Sequence, residues 1–349
     1  DYKKHPLVKL AKKIVYNNGN LSYRIRDAFF LWESECNTRF SQLKSNEEEL
    51  NRIFIDIYGL QEELSPEVEV KDVTVRTADL GRDIRSFISY AVGCMFGRYS
   101  IYEDGLIYAG GVWNYNQYEN AAWRSEGKPE AIEFYKGTYF LPDKDNIIPI
   151  TDEEYFHDDI VGRFVYFVKT VYGAETLEEN LQFIADALGN KGGSAREVIR
   201  NYFLKDFYAD HLKVYQKRPI YWMFDSGKEN GFKALIYMHR YDADTVGRVR
   251  TDYLHRAQNY VETAMQSAQY TIDNSSSASE KSKATKAVSK YTKQLAEMRI
   301  YDEAIAHIAN RRIEIDLDDG VKVNYAKFQG IEVVQEGKKT LKVDLLAKI

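Results

Sequence analysis

Apolar residues recur along this 349-residue chain with two different periods, and the changes between them outline its elements. Ile84, Phe87, Ile88, Ala91, Val92, Met95 and Phe96 follow i, i+3, i+4, i+7 spacing, which predicts a core-facing helix over 80–97. Helix starts are expected where a hydroxyl stands three residues before a glutamate. The hydroxyl can accept from the third helical amide while the carboxylate reaches back to the cap. Ser45-Asn46-Glu47-Glu48, Thr151-Asp152-Glu153-Glu154, Thr176-Leu177-Glu178-Glu179 and Ser194-Ala195-Arg196-Glu197 each fit. Gly59, Gly173 and Gly189 stand where the preceding helices should stop. Helices are therefore expected to resume over 154–215.

Residues 101–149 have no helical period and are rich in Tyr, Trp, Gly and Asn, which predicts short strands and long loops. Two β-rich runs at 219–224 and 232–238 flank a turn containing Asn230-Gly231, the signature of a hairpin. Beyond it, 243–272 and 281–310 predict two antiparallel helices of ~45 Å each. Their serine-rich joint, 274–282, is expected to be a mobile tip. In the tail, Ile313 to Leu317 alternate, Asp319-Gly320 turns, and 331–335 with 340–346 predict a small closing sheet. The expected fold class is α+β: predominantly helical, with small antiparallel sheets and a long antiparallel helical hairpin near the C-terminus. Residues 1–240 form the expected first region, with the irregular insertion at about 101–150 and the β-hairpin at about 217–240. Residues 241–349 form the second, the helical hairpin plus a small C-terminal sheet.

Composition adds constraints. Hydrophobic residues at 44% and charged residues at 29% are ordinary for a globular protein. No apolar run approaches the ~18 residues of a membrane span, and the opening residues have no apolar leader core, so a cytoplasmic location with no membrane partner is expected. Cys36 and Cys94 are too few for a disulfide framework or a four-ligand zinc site. The 27 tyrosines suit either a large aromatic core or a half-wet recognition face.

Charge is uneven. The chain carries −5, yet residues 213–256 hold nine Lys/Arg against five Asp/Glu, a net of +4. A positive island on an acidic protein is where a polyanion would land. Lys217, Arg218, Lys228 and Lys233 beside Tyr221 and Trp222 could follow a groove, and Arg240, Arg248 and Arg250 would extend the stripe into the helix. Alternation also favours Tyr221, Trp222, Leu235 and Tyr237 as sheet core, with the bases solvating its rim. The stretch 106–141, with Trp113, Tyr115, Tyr118, Trp123 and Arg124, is a second candidate recognition surface.

Catalytic signatures are sparse. The six histidines are scattered, without the i, i+4 pair that puts two imidazoles on one helix face. His157 beside Asp158-Asp159 reads as a charged first turn of a helix. Lys191-Gly192-Gly193-Ser194 precedes a helix and could hold one phosphate on its amides, but lacks P-loop spacing. Pro142-Asp143 and Glu336-Gly337-Lys338 could be the halves of a nuclease motif, though such short patterns arise by chance. DNA amino-methyltransferases need an Asn/Asp-Pro-Pro-Tyr/Phe tetrapeptide to grip a flipped base. None of the six prolines has a proline neighbour, and a glycine-rich cofactor loop is missing too.

Four blocks resemble the PglX family of large adenine-specific DNA methyltransferases of BREX phage-defence systems. They are LKSNEEELNRIFIDIYGL at 43–60, ISYAVGCMFGRYS at 88–100, KRPIYWMFDSGKENGFKALIYMHRY at 217–241 and RRIEIDLDDGVKVNYAKFQG at 311–330. In that family the cofactor loop and the Pro-Pro tetrapeptide lie upstream of the matched segments. The resemblance therefore implies the C-terminal part of such an enzyme: a target-recognition region over 1–240 and a helical tail. It implies double-stranded DNA as partner, with other BREX subunits as further partners. Catalytic residues, cofactor and metal are expected to be none in this chain, with S-adenosylmethionine used by an N-terminal domain outside it. The DNA-binding set expected is Lys217, Arg218, Lys228, Lys233, Arg240, Arg248, Arg250, Tyr221, Trp113 and Arg124. A scaffold that docks other defence-complex subunits is the alternative, mildly favoured by the net charge.

Overall fold

The computed structural model describes residues 4–11, 23–126, 139–334 and 340–349. The helices are α1 (Pro6–Leu10), α2 (Ile25–Tyr58), α3 (Leu80–Met95), α4 (Asn116–Glu126), α5 (Ile160–Tyr172), α6 (Leu177–Ala187), α7 (Ala195–Lys205) and α8 (Phe207–Val214). Three strands, β1 (Ile147–Ile150), β2 (Tyr221–Asp225) and β3 (Lys233–Tyr237), pair antiparallel in the order β1-β3-β2. After them come α9 (Thr245–Arg248), a π-helical segment (Val249–Leu254), α10 (His255–Asn274), α11 (Ala278–Arg311) and α12 (Val321–Ala326). Strands β4 (Ile331–Val333) and β5 (Leu341–Val343) close the chain as an antiparallel pair. The predominantly helical α+β class, the hairpin and the small closing sheet all match expectation.

The three-stranded sheet is buried on both faces. Period-two alternation sends Tyr221, Met223, Leu235, Tyr237 and Ile148 into one core, with Phe87, Phe164, Phe167 and Tyr172 from α3 and α5. Trp222, Phe224, Ala234, Ile236 and Ile147 enter a second core, with Val249, Leu254, Met298, Tyr301 and Phe328. Cover on both sides explains why the two runs read as nearly continuous apolar sequence. The free edge of β2 is closed by the C-terminus, where Ala347 donates to Met223 O at 2.8 Å and Asp225 donates to Leu345 O at 3.1 Å.

Several boundaries differ from the sequence pattern. Ser45 lies inside α2, a single 34-residue helix of ~51 Å. No Gly or Pro interrupts 25–58, and the pairs Glu35–Arg39 and Lys44–Glu48 support it at i, i+4 spacing. Thr151 starts no helix. Its hydroxyl donates to Glu153 O at 2.6 Å, and α5 begins later, capped by Asp159, which accepts from Gly162 N at 2.7 Å. Thr176 precedes α6, but its hydroxyl bonds Tyr23 O instead of capping. Ser194 caps α7 as expected. Gly59 and Gly173 cap α2 and α5 at positive φ. Gly189 follows the C-cap Leu188 of α6. In 101–149 the sequence reading missed α4. Residues 313–316 form no strand, and a 3-10 turn follows at Leu317–Asp319.

The serine-rich joint is shorter than expected. Only residues 275–277 lie outside helix; Ser277 caps α11 by accepting from Glu280 N, and Ser275 donates to Glu280 Oε2 at 2.6 Å. Ser277-Ala278-Ser279-Glu280 is thus a hydroxyl-to-glutamate box within the segment expected to be a mobile tip. Helices α10 and α11 pack antiparallel as predicted.

Candidate nucleic-acid interface

The turn between β2 and β3 is held against α11. Ser226 Oγ donates to Glu297 Oε1 at 3.2 Å, Glu229 N donates to Glu297 Oε2 at 3.0 Å, and Gln294 Nε2 donates to Glu229 O at 3.1 Å. Half-burial raises the Glu297 carboxyl above its usual range, although the Glu229 amide and the Ser226 hydroxyl oppose the shift. Of this turn, Lys228 is the fully exposed cation, 3.8 Å from Glu229.

The basic island that the sequence suggested is largely consumed by structure. Lys233 is buried, its ammonium 3.2 Å from Asp225 and donating to Leu204 O at 3.3 Å. Arg248 pairs with Asp242 at 2.8 Å. Arg250 forks onto both oxygens of Asp302 at 2.7 and 3.2 Å, and His255 shares that carboxylate at 2.9 Å. Arg240 stands 3.7 Å over the Trp113 ring and donates to Phe96 O and Lys144 O. Burial lowers its pKa to about 10, against the pull of Asp143 and Asp145, so it remains charged at neutral pH. Tyr221 is buried, stacked on Phe96 with ring centroids 5.4 Å apart. No base could stack on it. Lys233 and Tyr221, expected as DNA contacts, are buried within the fold, and Arg240 is engaged on Trp113. Their sequence signal was real, but charge and aromaticity do not say which way a side chain faces.

Lys213, Lys217 and Arg218 stay exposed, at the corner leading into β2. Gln216 and Lys217 both take left-handed backbone there, at φ 50° and 58°. Lys228 lies at the other end of β2, ~16 Å away along a five-residue strand. The single island is thus two separate clusters.

The irregular stretch divides similarly. Trp113, Tyr108 and Tyr118 form a cluster over Gly97 and under Arg240, with Trp113 5.0 and 5.2 Å from the two tyrosine rings. Trp113 is thereby committed to packing. Tyr118 is buried, its hydroxyl donating to Gly97 O. Trp123 and Arg124 face solvent on α4, Arg124 paired with Glu103 at 2.9 Å. Residues 127–138 of this stretch lie outside the described residues, as does Glu336-Gly337-Lys338.

One basic surface escaped the sequence reading. Residues 281–296 carry Lys281, Lys283, Lys286, Lys290 and Lys293 and no acid. At 100° per residue, the last four fall within an arc of about 80° on α11. Lys290 is tied to Asp152 and Glu153 at 2.8 and 3.0 Å. Lys283, Lys286 and Lys293 are exposed, and among the described residues they make no ion pair. A scan for acid-free charge runs would have found this strip.

The remaining catalytic candidates have structural roles. Glu197 Oε2 accepts from Gly193 N at 2.7 Å, so a carboxylate already occupies an amide expected to hold a phosphate. Asp143 is buried and accepts from the Asp145 amide at 3.1 Å; burial pushes its pKa up to about 7. His157 is exposed beside Asp158, ahead of α5. Among the described residues, no three His, Cys, Asp or Glu are grouped to hold a metal, and no helix is long and apolar enough to cross a membrane. Among the described residues every strand pairing is antiparallel, and the glycine-rich turn at Gly192-Gly193 leading into α7 presents the Glu197 carboxylate.

No family model matches the chain. It is 50% identical over 311 residues, 88% of its length, to the adenine-specific methyltransferase PglX of Lacticaseibacillus casei (strain Zhang), of which it covers 24%. It is 36% identical over 345 residues, 90% of its length, to the adenine-specific methyltransferase BrxX of Escherichia coli O9:H4 (strain HS), of which it covers 27%. The chain thus spans about a quarter of the length of these curated relatives. With identity of this extent over 88% and 90% of its length, the chain belongs to the PglX family.

Proposed function

We propose that this chain is the DNA-engaging C-terminal part of an adenine-specific DNA methyltransferase used in BREX phage defence. Methyl transfer from S-adenosylmethionine would take place on the part of the polypeptide outside it. The observation that carries this reading is the 50% identity across 88% of the chain to a named adenine-specific methyltransferase, in a segment without the tetrapeptide that such chemistry needs. Exposed cations supply the surface: Lys228 with Lys283, Lys286 and Lys293 on α11, and Lys213, Lys217 and Arg218 at the corner before β2. Lys283 to Lys293 spans ~15 Å of helix, over which a duplex presents about nine phosphates. These contacts would give register and affinity; sequence choice needs base-edge contacts, for which the exposed Trp123 on α4 is available.

Fluorescence anisotropy on a labelled duplex, from about 50 to 200 mM salt, tests the reading. Binding should weaken with salt. Combining Lys283→Ala, Lys286→Ala and Lys293→Ala should lower the log–log slope by about 2.7, and Lys217→Ala with Arg218→Ala by about 1.8. Binding absent above background, or unchanged slopes, would overturn the DNA role of these residues. That result would leave the scaffold reading, which the net charge of −5 supports.

A further inference from the structure

Helix α2 carries an apolar stripe that only half of the helix uses. At 100° per residue, Ile25, Ala28, Phe29, Trp32, Cys36, Leu43, Leu50, Ile53, Phe54 and Ile57 fall within one arc of about 120°. Near the start of the helix this stripe enters the first core, where Ile25, Ala28 and Phe29 are buried and Trp32 packs alongside. Further on, Leu50, Ile53, Phe54 and Ile57 are 45–68% exposed, with Tyr58 at 70% beside them. The returning chain does not cover them, because it lies along a different face. Val68 N donates to Glu48 Oε1 at 3.2 Å, Asn51 Nδ2 donates to Pro66 O at 3.2 Å, and Ile55 is buried there.

We propose that the bare stripe at 50–57, extended by Tyr58, is the docking face for the remainder of the family's polypeptide, the part outside these 349 residues. Two observations select that occupant. The stripe is continuous with one that already packs a core within this chain, so the same amphipathic pattern continues past the part of the core present here. The chain also covers only 24% and 27% of its relatives, so family members carry about three times as much polypeptide again. A second copy of the chain fits less well. Nine helical residues offer less than the ~800 Å² per partner typical of a stable interface between separate molecules. A tethered partner needs less surface, because its local concentration is already high.

Hydrogen–deuterium exchange of residues 46–58, compared between the 349-residue chain and the full-length polypeptide that contains it, tests this. Exchange there should slow at least tenfold in the full-length protein. Ile53→Asp with Ile57→Asp in the full-length protein should restore the fast exchange. Both side chains are exposed in the 349-residue chain, so its thermal midpoint should fall by only about a few degrees. Equal exchange in the two proteins would overturn the proposal. So would concentration-dependent dimerisation of the 349-residue chain that the same pair of substitutions abolishes, since that assigns the face to a second copy. Neither outcome depends on DNA binding.

Discussion

Arg240 decides between two physical roles, because a DNA contact and an internal clamp respond oppositely to its removal. In the clamp, Arg240→Met keeps an aliphatic stem on Trp113 but loses the cation–π contact at 3.7 Å and the bonds to Phe96 O and Lys144 O. The cation–π contact accounts for about 1–2 kcal/mol in a partly desolvated site. Each bond from the charged donor accounts for about 1.5–3 kcal/mol. Against these stands the desolvation that lowers the guanidinium to about 10, which takes back roughly 3 kcal/mol. The net expectation is a loss of about 3 kcal/mol, read as a lower urea midpoint at unchanged m, with duplex affinity unaltered. Trp113 fluorescence should shift with the loss of its cationic neighbour. Stability within about 0.5 kcal/mol of the parent, together with weakened, less salt-dependent DNA binding, would refute the clamp and return Arg240 to the interface.

Gly97 sits at φ 79°, and an added Cβ would lie 2.5 Å from Trp113 and 2.8 Å from the Tyr118 hydroxyl, so Gly97→Ala should cost about 2–5 kcal/mol in denaturant unfolding. Burial, reinforced by Arg98, lowers the His211 imidazole to about 3 while its Nε2 accepts from Tyr221 N, so the folded state refuses a proton that the unfolded chain takes up near 6.5. Stability should therefore fall as pH drops through that window. His211→Phe should flatten the slope by up to about 1.4 kcal/mol per pH unit, after losing about 1–3 kcal/mol at neutral pH for the unpaired amide. Asp159 both caps α5 and pairs with Arg200 at 2.5 Å in a buried site, so Asp159→Asn, which preserves the cap acceptor, should still cost about 3 kcal/mol in chemical unfolding.

Local rules made much of this fold legible. The period of α3, the glycines ending α2 and α5, the Asn230-Gly231 hairpin and the paired helices α10 and α11 follow from side-chain spacing and backbone preference, which act over a few residues. Ser45 and Thr151 show the limit of those rules. The same hydroxyl-to-glutamate spacing caps a helix at Ser277, lies inside one at Ser45 and forms a turn at Thr151. What differs is the chain around each box, including the carbonyls of Thr151 and Glu153, which Arg200 binds from α7.

Family membership could also be read from sequence, because blocks such as 217–241 are long and distinctive. The set of exposed cations could not. Charge in a sequence is a list of groups, and their availability depends on partners from distant segments: Asp302 for Arg250, Trp113 for Arg240, Leu204 O for Lys233. The sequence by itself determined the class, most of the helices, the hairpin strands and the −5 background on which a basic face would stand out. Only the tertiary structure decided which cations face solvent. An ion pair or cation–π contact is satisfied by proximity in space, and the contacts that occupied this island join residues up to 144 positions apart.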